Sequence, residues 1–167
     1  MTVPRPDCYI SDDMKISAFL PPAQIHLDVP VNAKDEMLRY IAETLGRLNL
    51  TDRASEVYGA LSMREAMMST GIGGGLAIPH ALTSAVDRLR VLLVRPEFPI
   101  PFDALDGLPV GVVFALLVPE NETTLHLRAL AAVSALCRRP GFLDAIRSSG
   151  DPQVLWNRLR ETETAED

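Results

Sequence analysis

The sequence has no apolar run of the roughly 18 residues that a membrane-spanning helix needs. Its N-terminal segment, MTVPRPDCYISDDMK, lacks the basic start and apolar stretch of a signal peptide. Two cysteines, Cys8 and Cys137, lie far apart and in no metal-ligand spacing, so we expect free thiols and no metal site. The net charge of -6 comes with no basic patch, which argues against nucleic-acid binding. These absences predict a cytoplasmic protein with no direct membrane insertion.

What the sequence does have is the composition of one globular domain. The chain has 167 residues, of which 47% are hydrophobic and 23% charged, enough for a single sizeable core. Residues 1–14 are largely polar, contain two prolines and have no periodicity, so we expect a flexible tail there. We expect the domain to occupy residues 15–161 and the last residues, 162–167, to fray.

Apolar patterning predicts strands that alternate with helices. A half-buried strand is expected over residues 24–29, and the runs Leu89–Val94 and Val110–Val118 are typical of interior strands. Helices are expected from Asn32, from Thr51 or Asp52 toward Met68, from Thr123 or Thr124 to Cys137, over Phe142–Ile146, and from Asp151 with Pro152 at the first helical position. This pattern predicts an α/β fold whose sheet is covered by helices on both faces.

Between the second helix and the first interior strand lies a glycine-rich segment. Four glycines within Gly71–Gly75 predict irregular structure, because glycine is favoured where the backbone takes unusual dihedral angles. Pro79 then fixes its own backbone and biases Ile78 toward an extended conformation. We therefore expect a loop, a brief strand and a histidine, His80, held at the strand's edge. The glycine pattern matches neither a P-loop nor a dinucleotide-binding fingerprint.

The chain has three histidines, His26, His80 and His126. His26 lies at a polar position of the first strand, which is typical of a surface residue. A phosphoryl-accepting histidine needs one unprotonated ring nitrogen facing outward and a hydrogen bond on the other nitrogen. It also needs donors for the phosphoryl oxygens, which glycine-loop amides can supply. Taken from the residues alone, His80 is an accessible, rigidly placed histidine beside an anion-friendly loop, and its function stays open.

The stretch REAMMSTGIGGGLAIPH, residues 64–80, resembles the signature of the IIA domains of the bacterial phosphoenolpyruvate-dependent phosphotransferase system, in the fructose and mannitol superfamily. In that signature an Arg-Glu pair precedes STGIG, and a variable residue separates it from G-apolar-A-I-P-H. The resemblance extends to PFDALDG at 101–107, VFALLVP at 113–119 and HLRAL at 126–130. It covers the chain from about Ile16 to Leu159 and implies a mostly parallel, mixed β-sheet in a single domain.

The resemblance implies roles for named residues. His80 matches the phosphorylated histidine, His126 the second active-site histidine that assists transfer, and Arg64 the arginine that stabilises the phosphoryl charge. On the residues alone, His126 would more often be structural, and Arg64 could simply interact with a helix dipole. The motif also implies a phosphate loop, comprising Thr70, Gly71, Gly73 and Gly74, and no metal or other cofactor. Gly111 stands where many relatives have an acidic residue. This difference bears on whether contacts with a partner protein near that strand are retained.

The segments FDALDGLPV and FALLVP resemble the nitrogen-regulatory branch of this family. The resemblance thus implies a phosphotransferase component that accepts a phosphoryl group from an HPr-like protein and regulates a target protein through its phosphorylation state. A sugar-specific IIA component that passes phosphate to a IIB subunit is the alternative within the family. A protein-binding module without phosphorylation is the alternative from another class. A metal hydrolase is disfavoured, because two histidines lack a matching carboxylate or cysteine spacing.

Overall fold

A computed structural model describes residues 14–165. The chain first makes two short 3-10 turns, Ile16–Ala18 and Pro22–Gln24. The strands are β1 (Ile25–Val29), β2 (Gly71–Gly73), β3 (Leu76–Ala77), β4 (His80–Thr83), β5 (Arg90–Pro96) and β6 (Val112–Pro119). The helices are α1 (Lys34–Arg47), α2 (Ala54–Met67), α3 (Thr123–Cys137), α4 (Phe142–Ser148) and α5 (Pro152–Thr164).

The strands form one 6-stranded sheet with the order β1-β5-β6-β3-β2, and β4 also pairs with β6. The β1/β5, β3/β6 and β4/β6 pairings are parallel, whereas β5/β6 and β2/β3 are antiparallel. The short strands β3 and β4 therefore follow one another along the same side of β6. Ala77 pairs with Val113 and His80 with Leu116, which places His80 beside the middle of the central strand.

Two apolar cores lie on opposite faces of this sheet, since successive residues of a strand point to opposite sides. On β6, Val113, Ala115 and Leu117 pack into the core with α1 and α2. The alternate residues of β6, Phe114 and Leu116 among them, pack into the core with α3, α4 and α5. The predicted single-domain α/β fold, with a mixed sheet covered on both faces, is confirmed.

The predicted helix starts hold only in part. Asp151 does cap α5, because its carboxylate accepts from the N–H groups of Gln153 and Val154. The Asn32 cap is wrong: α1 begins at Lys34, and no side chain caps it. The backbone N–H of Asn32 donates instead to the Glu36 carboxylate at 3.1 Å, so the acidic first turn binds back onto the residue expected to cap it.

The second helix begins at Ala54, later than predicted. The Thr51 hydroxyl is used elsewhere, since it donates to the Ala85 carbonyl at 2.6 Å. Thr51 Oγ1 also accepts from the Arg53 N–H at 3.1 Å, which forms a local turn before the helix.

The glycine segment and the C-terminus also differ from the prediction. Gly71–Gly73 is a strand, paired antiparallel with Leu76–Ala77, and the turn between them uses positive φ at Gly73, Gly74 and Gly75. The helix α5 continues to Thr164, so residues 162–164 are helical. Glu163 there accepts hydrogen bonds from the Ser17 N–H and hydroxyl, which ties this end of the helix to the first 3-10 turn. Residues 1–13 of the tail predicted for residues 1–14 lie outside the described residues.

Within residues 14–165, no helix has both the length and the hydropathy that crossing a lipid bilayer requires.

Candidate active site

The backbone around His80 is fixed on both sides. The buried Ile78 donates its N–H to the Thr70 carbonyl at 3.0 Å. The Pro79 carbonyl accepts from the Leu116 N–H at 2.9 Å. Proline at 79 has no N–H of its own to satisfy and restricts the chain between β3 and β4. His80 is therefore the first residue of a strand whose entry is held by hydrogen bonds to two neighbouring segments.

The His80 ring is oriented by its own backbone. Its Nδ1 lies 2.6 Å from the Ile78 carbonyl oxygen, which can only accept, so Nδ1 carries the proton and donates. That tautomer leaves the lone pair on Nε2. Burial lowers the pKa of His80 below its usual range, and the positive charge of Arg64 and the neighbouring His126 act in the same direction, against the Ile78 hydrogen bond. The half-buried imidazole is therefore neutral and nucleophilic at neutral pH.

His126 lies beside His80 on the first turn of α3. The ring centroids are 5.1 Å apart and the ring planes are tilted by 44°. Burial, with a further contribution from Arg64, lowers the pKa of His126 as well. Its Nε2 is buried and has no hydrogen-bond partner among residues 14–165. A buried ring nitrogen without a protein partner is available to a group that enters the site.

Arg64, on the last turn of α2, is the third predicted residue at this site. Its Nη1 donates to the Met68 carbonyl at 2.9 Å, which holds the side chain over the end of its helix. Its charge is close enough to lower the pKa of both His80 and His126. The structure thus brings together His80, His126 and Arg64 from β4, α3 and α2.

Thr70 lies next to this group, but its hydroxyl faces a residue that the sequence reasoning did not assign. The buried Glu65 accepts from the Thr70 N–H at 3.0 Å and from the Thr70 hydroxyl at 2.5 Å. Lys34 lies 3.1 Å from the same carboxylate and 3.0 Å from Asp103. Glu65 belongs to the Arg-Glu pair of the motif, so the sequence could have indicated it as a site residue. No local sequence pattern indicated Lys34.

Two of the three predicted loop glycines, Gly71 and Gly74, donate their amides to other parts of the protein. The Gly71 N–H donates to Ser69 Oγ at 3.1 Å, and the Gly74 N–H donates to the Asp106 carboxylate at 2.9 Å. Gly73 pairs with Leu76 in the hairpin. The structure therefore brings Thr70 close to the His80 backbone, but it directs the Gly71 and Gly74 amides toward other partners.

Gly111, where an acidic residue was expected by resemblance, donates its N–H to the Gly75 carbonyl at 2.9 Å. It lies beside the hairpin turn and just before β6, away from the residues that flank His80. Among the described residues, no cluster of three or more His, Cys, Asp or Glu side chains is arranged to hold a metal ion.

The mixed sheet and the adjacent histidines agree with the EIIA class of phosphotransferase-system components that the motif at residues 64–80 resembles. The model of the family "Phosphoenolpyruvate-dependent sugar phosphotransferase system, EIIA 2" matches residues 18–162. The chain belongs to this family, and the resemblance inferred from its motif is confirmed.

Relatives named as nitrogen regulatory proteins are similar over most of the chain. The one from Pseudomonas aeruginosa is 34% identical over 143 residues, covering 86% of this chain and 93% of the relative. The one from Klebsiella oxytoca is 40% identical, with 83% of each chain covered. The crystal structure of the nitrogen regulatory protein IIA-Ntr from Neisseria meningitidis superposes with a TM-score of 0.80 at 31% identity, covering 86% of this chain and 98% of that one.

Proposed function

We propose that this protein is a phosphocarrier in which Nε2 of His80 accepts a phosphoryl group from a phosphohistidine of an HPr-like protein. The observation that carries the proposal is the 2.6 Å hydrogen bond from His80 Nδ1 to the Ile78 carbonyl, because it leaves the Nε2 lone pair free. Nitrogen is nucleophilic only when unprotonated, and the lowered pKa of His80 keeps it so at neutral pH.

The transfer exchanges one phosphorus–nitrogen bond for another. The Nε2 lone pair of His80 attacks phosphorus, and the bond from phosphorus to the donor imidazole breaks. The donor nitrogen keeps the bonding electron pair, and nothing is oxidised or reduced. The phosphoryl oxygens then lie near Arg64, whose guanidinium balances their charge, and near His126, whose unpartnered Nε2 can donate to one of them.

A regulatory role of the nitrogen type is the second part of the proposal. It is supported by the relatives from Pseudomonas aeruginosa and Klebsiella oxytoca and by the IIA-Ntr structure, all named nitrogen regulatory. A phosphoryl group adds about -1.5 to -2 charges at a surface site. That change, placed between His126 and Arg64, alters which protein surfaces can dock there. We therefore propose that a target protein distinguishes the two states of His80.

The test of phosphoryl acceptance is intact-mass analysis after incubation with phosphoenolpyruvate, enzyme I and an HPr-type carrier. We expect a gain of one acid-labile phosphoryl group. The matched control is His26→Ala, which removes a different histidine and should label normally. No gain, with both upstream proteins shown to be charged, would favour the protein-binding module instead.

A sugar-specific role is a second candidate, favoured by one comparison. A protein named as a fructose-specific EIIA component, from Haloferax volcanii, is 37% identical over 153 residues and 97% covered. The two roles differ in the acceptor that takes the phosphoryl group. Rapid transfer from the phosphorylated protein to a fructose-type IIB domain would favour sugar uptake, whereas a stable phosphorylated form in its presence would favour regulation.

A further inference from the structure

We propose that Glu65 is a positioning residue, which sets the tautomer and orientation of the His80 ring through Thr70 and Ile78. The inference deepens the proposed function, on which its kinetic part rests. Its main readout is the protonation of the His80 ring in the unphosphorylated protein, and that readout needs no phosphoryl donor.

The Glu65 carboxylate is a buried anchor with strong donors. Its side chain is only 5% exposed, yet both oxygens are bound. One oxygen accepts from the Thr70 N–H at 3.0 Å and pairs with Lys34 Nζ at 3.1 Å. The other accepts from the Thr70 hydroxyl at 2.5 Å. Hydrogen bonds to an ionised group in a buried setting are stronger than neutral ones, and such a charge is retained only when it is paired.

From Thr70 the chain of contacts reaches the His80 ring in two further bonds. The Thr70 carbonyl accepts from the Ile78 N–H at 3.0 Å, and the Ile78 carbonyl accepts from His80 Nδ1 at 2.6 Å. Ile78 is buried, so water does not compete for these groups. A shift of Thr70 would therefore move Ile78, and with it the carbonyl that keeps the proton on Nδ1.

The negative charge of Glu65 also reaches the ring directly. It acts to raise the pKa of His80, against the stronger effect of burial and the opposing charge of Arg64. Removing the charge should therefore lower the pKa of His80 further. This change in the pKa of His80 needs no movement of the ring, so the tautomer is the readout that separates a positioning role from a purely structural one.

Lys34 makes the anchor specific for a carboxylate at position 65. Its ammonium group lies between Glu65 and Asp103 and 5.3 Å from the centroid of the Phe102 ring. A neutral side chain at 65 would leave Lys34 with one carboxylate, and that one is largely exposed. The three segments joined here, α1, α2 and the loop before β6, all depend on the same charge.

The experiment compares Glu65→Gln with Glu56→Gln. Both remove one negative charge from α2, but Glu56 is exposed and pairs with Arg53 at the opposite end of the helix. Long-range proton–nitrogen correlation spectra of the imidazoles, recorded across pH, report the tautomer and pKa of His80. We expect the wild type and Glu56→Gln to carry the proton on Nδ1. We expect Glu65→Gln to be a mixture of tautomers with a lower His80 pKa and phosphoryl acceptance slowed by up to about a hundredfold.

A second pair of variants, at Thr70, keeps the inference testable if Glu65→Gln does not fold. Thr70→Val keeps the shape of the side chain but removes the hydroxyl, whereas Thr70→Ser keeps the hydroxyl. We expect Thr70→Val to shift the tautomer and Thr70→Ser to retain it. If Glu65→Gln folds, by circular dichroism and thermal melting, with an unchanged tautomer, the inference is wrong, whatever the pKa of His80 in that variant. If it does not fold, an unchanged tautomer in Thr70→Val overturns the inference.

The proposed function can fail separately. A wild-type protein that no phosphoryl carrier labels, but whose His80 tautomer still responds to Glu65→Gln, would refute the phosphocarrier role and leave the positioning role intact.

Discussion

The two ends of the β2–β3 hairpin are held by different kinds of contact. At the end near His80, Thr70 is bound twice by the buried carboxylate of Glu65. At the turn, the Gly74 N–H is bound by the exposed Asp106, and the Gly74 carbonyl by Arg147 at 2.6 Å. Both ends use charged side chains, but only the first is shielded from water. Since exposed charged contacts contribute little, the hairpin is anchored firmly at one end and loosely at the other.

The glycines follow the same division. A Cβ on Gly71 would lie 2.9 Å from Ala104 Cβ, so a side chain there would disturb the packing at the anchored end. A Cβ on Gly74 would meet no atom within 4 Å, and that residue needs glycine only for its φ of +64°. A glycine-rich motif can therefore combine a position of close approach with a position of unusual backbone angle. Neither use requires that the amides bind phosphate.

The largest effect is expected at His80, which is bonded to the anchored end of the hairpin through Ile78 and Thr70. His80→Ala removes the imidazole whose Nε2 is the proposed acceptor, so phosphoryl labelling should be abolished while circular dichroism and thermal melting still report a folded protein. Intact-mass analysis provides the measurement. A folded His80→Ala protein that still gains an acid-labile phosphoryl group would place the acceptor elsewhere.

The His126 variant tests how fast His80 accepts a phosphoryl group when only the contacts of the anchored end orient it. His126 lies on α3, outside the hairpin. We expect His126→Ala to accept the phosphoryl group more slowly, by about 10²- to 10⁴-fold, as for loss of a positioned proton donor or acceptor. The measurement is the single-turnover rate with a pre-charged carrier. Complete loss, equal to that in His80→Ala, would contradict the division of roles between the two histidines.

The residues that form the site were predictable from sequence, but most of the contacts that orient them were not. The signature at 64–80 indicated His80 and Arg64, and the similarity at 126–130 indicated His126. The Glu65–Thr70 bond joins α2 to the residue just before β2, and no period or propensity encodes that contact. The glycine loop drew attention to its amides as donors to a phosphoryl group, whereas the Gly71 and Gly74 amides donate to Ser69 and Asp106 in the structure.

The same distinction applies to the fold. The long strands β5 and β6 and the helix α3 follow from apolar runs, and Asp151–Pro152 marks the start of α5. The strand β4 has four residues and begins directly after Pro79, so it carries no pattern of its own and exists because it pairs with β6. The Asn32 cap is wrong because the helix begins later than predicted, so that Ala33 occupies the cap position, while the Asn32 backbone N–H donates to the Glu36 carboxylate in the first turn.

The pH dependence of phosphoryl acceptance tests the burial of the anchored end. Burial lowers the pKa of His80, so Nε2 stays unprotonated at pH values below the ordinary histidine pKa of about 6.5. We expect the rate to be constant from neutral pH down past that value and to fall only at lower pH, as the ring gains a proton. The carrier is charged beforehand at neutral pH, so that only the transfer step is sampled. A midpoint at or above the ordinary value would mean that the ring is more exposed than its position implies.

The smallest effect is expected at the loose end of the hairpin. Asp106→Ala removes the acceptor of the Gly74 and Leu108 N–H groups, both of which are exposed and can bind water instead. We expect a slightly lower Tm at neutral pH and an unchanged rate of phosphoryl acceptance. These two hydrogen bonds lower the pKa of Asp106, so their contribution to stability is present above the ordinary aspartate pKa. It is lost as the pH falls through the lower folded value, and the Tm difference should shrink in acid. A large loss of rate would instead make the turn part of the phosphate loop, and Gly74 would regain the role that the resemblance implied.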